Sequence, residues 1–133
     1  MENRLNLAED MTPYRLLGGA GVVRGLCDRF YDIMDHEPSV APLRAMHPAD
    51  LAGSKQKLFM FLSGWLGGPA LYMEAFGHPR LRMRHMPFAI DEAARDQWLF
   101  CMRQAVSELV VEEELKVKLL EAFYDTADFM RNR

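Results

Sequence analysis

Apolar residues recur along this chain at three- and four-residue intervals, which is the spacing that lines one face of a helix. Val22, Val23, Leu26, Cys27, Phe30, Ile33 and Met34 predict a helix over about residues 20–35. Leu58, Phe61, Leu62 and Trp65 share a face of a second helix over about 51–66. Ala94, Trp98, Cys101, Met102, Ala105 and Leu109 mark a third that ends near 109, and Leu115, Leu119, Ala122, Phe123 and Met130 a fourth over about 112–131. The alternating pattern of a half-buried strand is missing, as are internal repeats and a linker between domains. The expectation is an all-α protein with four main helices.

Shorter elements follow from the breakers. Thr12-Pro13 can open a short helix, threonine capping it and proline occupying its first turn, and Gly18-Gly19 ends it. Residues 35–38, with an exposed His36, read as a loop; 39–46 read as a short helix, broken by His47-Pro48. Gly67-Gly68-Pro69 ends the second long helix, and Pro69 is placed to start another through 76. Asp91 suits a helix cap, and Glu112, Glu113 and Glu114 suit the positive end of the last helix. Glu112–Lys116 and Glu114–Lys118 are spaced as surface pairs. Residues 1–11 read as a flexible tail, leaving one domain over 12–133.

A chain of 133 residues suits a single core, and its net charge of −3 carries no general nucleic-acid footprint. No apolar run reaches the length of a membrane span, and the acidic start has no secretory h-region. Cys27 and Cys101, both in apolar helical patterns, are expected as buried thiols in a reducing cytoplasm. Ten methionines suit a ligand pocket or an ordinary loose core equally well.

One stretch does not fit an ordinary helical bundle. Residues 77–90 read GHPRLRMRHMPFAI, with Arg80, Arg82 and Arg84 ahead of His85 and prolines at 79 and 87. Pro79 can begin a helix and Pro87 forces it to end near His85, so it spans barely two turns. Such a helix forms only when something packs on it. Haem would do so: imidazole is a common axial ligand of its iron, and guanidinium suits its propionates. A lone histidine is more often a surface or satisfied core residue, and alternating arginines are more often a solvated face.

Gly67-Gly68-Pro69, Tyr72, the run Gly77-His78-Pro79-Arg80-Leu81-Arg82-Met83-Arg84-His85, then Phe88, Ile90, Arg95, Asp96 and Trp98, together resemble the signature of the group II truncated haemoglobins. Gly18-Gly19 and Phe30-Tyr31 fit the same family, so the resemblance covers nearly the whole chain, about 16–129.

The resemblance implies the truncated globin fold, a 2-on-2 helical sandwich around haem b (iron protoporphyrin IX). It makes His85 the proximal iron ligand, Arg84 the first propionate partner with Arg82 or Lys57 assisting, and Phe88 a neighbour of the proximal face. On the distal side it makes Tyr31 and Trp98 hydrogen-bond donors to bound ligand, Ser54 the gate position and Leu58 the side chain packed over the ligand. His47 departs from the tyrosine or phenylalanine usual at its place; it could donate to a ligand or swing to solvent. From the residues alone, Tyr31 and Trp98 are equally read as core aromatics and Lys57 as a solvated lysine. The expected activity is reversible binding of dioxygen or another diatomic such as carbon monoxide or nitric oxide, for redox chemistry or sensing. Nitric oxide dioxygenation or peroxide reduction, fed by a reductase, is the enzymatic alternative, and a haem-free helical interaction module is the third. A cytoplasmic monomer or homodimer, without nucleic-acid or membrane partners, completes the expectation.

Overall fold

A computed structural model describes residues 12–133. The tail expected over 1–11 lies outside the described residues. The helices are α1 (Pro13–Leu17), α2 (Ala20–His36), α3 (Ala41–Arg44), α4 (Ala52–Trp65), α5 (Leu71–Phe76), α6 (Leu81–His85), α7 (Glu92–Leu109) and α8 (Glu113–Phe129), with a 3₁₀ turn over Pro38–Val40 before α3. Among the described residues there is no strand.

The four long helices are those the apolar spacing predicts. α2 buries Val23, Leu26, Cys27, Phe30, Tyr31, Ile33 and Met34. That stripe packs against both α4 and α7, while α7 packs in turn against α8. The result is a 2-on-2 sandwich whose main core runs from Val23 to Ala127. Cys27 and Cys101 are buried and unpaired. Burial lifts the Cys27 thiol to about 12 and the Cys101 thiol to about 11.

Capping matches the sequence in several places. Thr12 accepts from the Arg15 N–H at 3.3 Å, and Asp91 accepts from the Ala94 N–H at 2.8 Å. The turn after α4 is where α1 docks. Tyr14 N–H donates to the Leu66 carbonyl at 2.9 Å, and buried Ser63 donates its hydroxyl to the Pro69 carbonyl at 2.7 Å. A Cβ on Gly68 would meet the Tyr14 ring at 2.4 Å, so only glycine admits this approach.

Four local expectations are corrected. His36 is exposed, but it closes α2 instead of lying in a loop. Pro69 does not open α5, which begins at Leu71; the Pro69 carbonyl is engaged instead by Ser63 and by the Leu71 N–H. Glu112 caps α8, accepting from the Glu114 and Leu115 N–H groups, so Lys116 pairs with Glu113 at 3.6 Å. Glu114–Lys118 forms as expected, at 3.5 Å. Finally, Pro79 does not start α6. Arg80 intervenes in the left-handed region at φ 48°, its N–H bonded to His78 Nδ1 at 3.0 Å, and the helix begins at Leu81.

Candidate functional site

α6 is five residues long and buries no side chain completely. A helix this short does not hold itself in water, and its anchors are visible. Arg84 Nε donates to the Pro79 carbonyl at 2.8 Å, and Arg82 donates to the Phe129 carbonyl at 2.9 Å, across to the end of α8. Leu81 joins Ile90, Ala94, Met130 and Met46 in a small second apolar cluster. The segment nevertheless leaves Met83, Met86 and Phe88 exposed, each by 43% or more.

His85 is half-buried at the end of α6. Its Nδ1 lies 2.6 Å from the Leu81 carbonyl. A carbonyl can only accept, so Nδ1 carries the proton and the neutral ring keeps its lone pair on Nε2. That is the arrangement of an imidazole ligand whose other nitrogen is fixed by a carbonyl.

His47 sits just after α3. Its Nδ1 is 3.0 Å from the Leu43 carbonyl, so here too the proton is on Nδ1 and Nε2 accepts. The Leu43 N–H is itself held by Gln97 Oε1 on α7 at 3.0 Å. Burial holds the His47 pKa below its ordinary value; the hydrogen bond to Leu43 opposes this, and the nearby charges of Arg44 and His85 add to the lowering. The ring is half-buried beside Tyr31, and its Nδ1–H is committed to Leu43, which leaves Nε2 as the atom free to meet a ligand.

Tyr31 lies edge-on to His47, with ring centroids 5.8 Å apart. Phe30 links this pair to Trp98, its ring 4.9 Å from Tyr31 and 5.1 Å from Trp98. Tyr31 is 7% exposed, and burial, aided by the neighbouring Cys27, pushes its pKa up, so the phenol stays protonated. Among the described residues neither the Tyr31 hydroxyl nor the Trp98 indole N–H has a hydrogen-bond partner. Among the described residues the one fully buried side-chain N or O atom without a partner is Arg131 Nε, so the Tyr31 hydroxyl and the Trp98 N–H keep some access from outside and are free to donate to a molecule that enters beside them.

The remaining candidates divide. Ser54 and Leu58 are half-buried on one side of α4, and Leu58 packs against the main core. Lys57 is exposed. Arg84 is exposed and lies 5.9 Å from the Tyr72 ring, while Arg82 is turned to Phe129. An open cleft of about 590 Å³ lies beside α6, lined mainly by apolar groups of Phe61, Trp65, Leu81, Met83, Phe129 and Met130. Arg82 lines it, whereas His85, Tyr31, His47 and Trp98 do not. The second cleft, about 480 Å³ around Arg29, Asp32 and Gln104, holds none of the candidates. The residues fit haem in three respects: an imidazole whose Nε2 is left free, donors without protein partners at Tyr31 and Trp98, and exposed apolar side chains next to the histidine in the chain. Among the described residues no three His, Cys, Asp or Glu side chains gather as a metal cluster.

The family profile of bacterial-like globins matches residues 12–132. The group 2 truncated hemoglobin of Bacillus subtilis (strain 168) is 37% identical over 121 residues, covering 91% of this chain and 89% of that protein. The chain belongs to the group II truncated haemoglobins. A cold-adapted truncated hemoglobin from the Antarctic bacterium Pseudoalteromonas haloplanktis TAC125 superimposes with a TM-score of 0.90 at 45% identity, covering 92% and 98% of the two chains. A truncated oxygen-avid haemoglobin from Bacillus subtilis superimposes with a TM-score of 0.81 at 37% identity, covering 91% and 99%. The chain is thus a haem-binding globin, and its fold is that of truncated haemoglobins.

Sequence reasoning missed two residues of this site. Gln97 holds the Leu43–His47 turn, and Asn132 contacts the loop that follows His85. Neither carries a local signal, because each acts on backbone more than 40 residues away in sequence.

Proposed function

We propose that residues 12–133 form one globin domain in which His85 Nε2 would hold the iron of haem b, and Tyr31 and Trp98 would donate to dioxygen bound there. Haem b suits the sequence because neither cysteine lies in a Cys-x-x-Cys-His attachment motif. Haem supplies the iron at which a diatomic ligand binds; the protein supplies its surroundings. His85 positions the iron through a ring fixed by the Leu81 carbonyl. Tyr31 and Trp98 donate toward the charge that gathers on the ligand, and exclusion of water strengthens both donors. Leu58 and Ser54 would face the ligand from α4. Arg84 pairs with a propionate, with Arg82 and Lys57 as its alternates. A cytoplasmic location suits the two unpaired thiols, and the redox chemistry that haem would supply calls for an external reductase as electron source.

The observation that carries this reading is the pair of donors without protein partners, Tyr31 and Trp98. The oxygen-avid relative from Bacillus subtilis supports it. The test is stopped-flow release of dioxygen from the ferrous protein. A donor to a charged group contributes about 1.5–3 kcal/mol, so Trp98→Phe should release ligand about 10–100-fold faster. Identical rates would remove Trp98 from the ligand's surroundings.

Peroxide turnover is the second reading, favoured by the neutral His47. With Nδ1–H held by Leu43, Nε2 can take a proton from peroxide that reaches His47. General-base help is typically worth 10²–10⁴-fold, so steady-state peroxide turnover in His47→Phe should fall by about 100-fold or more. Undiminished turnover would leave the protein a ligand binder.

A further inference from the structure

Asn132 lies beyond the end of α8, yet its side-chain amide and its backbone N–H are turned back on the segment that follows His85. Its Nδ2 donates to the Phe88 carbonyl at 2.9 Å and to the His85 carbonyl at 3.3 Å. Its Oδ1 accepts from the Ile90 N–H at 2.9 Å. Its backbone N–H donates to the Ile90 carbonyl at 2.9 Å, and Arg133 N–H joins at 3.2 Å. The amide orientation is determined by this set: turned over, it would set oxygen against two carbonyls and N–H against N–H. One side chain therefore closes a latch over residues 85–90.

The latch matters because α6 is too short to fix its own position. The His85 ring is oriented inside that helix, by Leu81, so whatever places α6 also places the ring. Arg82 fastens the middle of the helix to α8 through the Phe129 carbonyl. Asn132 fastens its end, at the carbonyl of His85 itself. We propose that Asn132 is a positioning residue for the iron ligand, setting the reach and tilt of the His85 imidazole by latching residues 85–90 to the end of α8. The proposal rests on the reading of His85 as the proximal ligand.

The test compares wild type with Asn132→Asp and Asn132→Ala, all loaded with haem. Asp keeps the size and the acceptor for Ile90 but sets oxygen against the His85 and Phe88 carbonyls; Ala removes the latch. Resonance Raman of the ferrous proteins reads the iron–imidazole stretch, and transfer of haem to an acceptor protein reads retention. The expected result is a shifted or broadened stretch in both variants and about tenfold faster haem transfer, equivalent to about 1.4 kcal/mol. A merely structural asparagine would lower the melting temperature and leave the band where it is, which overturns the proposal while His85 stands. If wild type shows no iron–imidazole band at all, the assignment of His85 fails and this proposal with it. Should both variants fail to fold, amide exchange at Ile90 in wild type decides: slower exchange with haem than without supports the coupling, and equal exchange overturns it.

Discussion

Replacing Tyr31 by phenylalanine separates a ligand-binding tyrosine from a structural one. A tyrosine that holds a core together through its hydroxyl loses a hydrogen bond when the oxygen is removed, at about 0.5–1.5 kcal/mol, and strands its former acceptor. Tyr31 has no such acceptor among the described residues. Its ring contacts with Phe30 and His47, at 4.9 and 5.8 Å, survive the change because phenylalanine keeps the ring. Tyr31→Phe should therefore leave the unfolding free energy of the haem-free protein within about 0.5 kcal/mol of wild type, the range of a substitution that breaks nothing. Ligand release should respond strongly. The hydroxyl is held protonated by burial, so it donates throughout the working pH range. Losing a donor to a charge-bearing ligand costs about 1.5–3 kcal/mol, or roughly 10–100-fold in release rate. Because Phe30 touches both Tyr31 and Trp98, the double variant should fall short of the product of the single effects. The assays are urea unfolding of the haem-free protein and stopped-flow dioxygen release from the ferrous protein. A destabilised variant with wild-type release would refute the reasoning and return Tyr31 to the core.

Three further outcomes follow from the surroundings of the site. His47 has its pKa held below the ordinary 6.5, so on acidification the unfolded chain takes up its proton first. Stability should fall as pH drops from about 6.5 toward the lowered value, and His47→Phe should show a shallower fall when unfolding is measured at pH 7.5 and 5.5. Gly68→Ala sets a Cβ 2.4 Å from the Tyr14 ring and should cost about 1–3 kcal/mol by overpacking, read as a lower melting temperature with unaltered ligand release. Cys27 and Cys101, raised to about 12 and about 11, should be inert to a thiol reagent at pH 8 in the folded protein and react fully in denaturant.

The long helices were legible because burial repeats at the helical period. Phe30, Leu62, Met102 and Phe123 are all but fully buried, and each stands on an apolar stripe visible in the sequence. The breakers were legible for the same local reason, as at Gly67-Gly68 and Asp91. Helix starts near proline were less so. Proline at 69 and 79 permits a first turn but does not compel one, and Ser63 and His78 drew the neighbouring backbone into turns instead. The basic run marked the site, and family resemblance assigned its roles, but the partners of His85 and His47 are backbone carbonyls, which any sequence supplies. Their choice depends on where α3 and α6 lie. Gln97 and Asn132 were invisible for the complementary reason. Each is an ordinary polar residue whose work is done on distant backbone.

The central claim is that His85 binds the haem iron, and absorption spectra of wild type and His85→Ala test it most directly. Both proteins are loaded with haem and recorded in the ferric, ferrous and carbon monoxide forms, with the haem-to-protein ratio measured after gel filtration. Wild type should retain one haem and show the spectra of a histidine-ligated globin. The variant should lose haem on the column and, in whatever fraction remains, show a changed ferrous spectrum, because removing a metal's ligand costs at least the roughly 10–100-fold that its hydrogen-bonded partners do. Wild-type stoichiometry with an unchanged ferrous spectrum in His85→Ala would contradict the assignment.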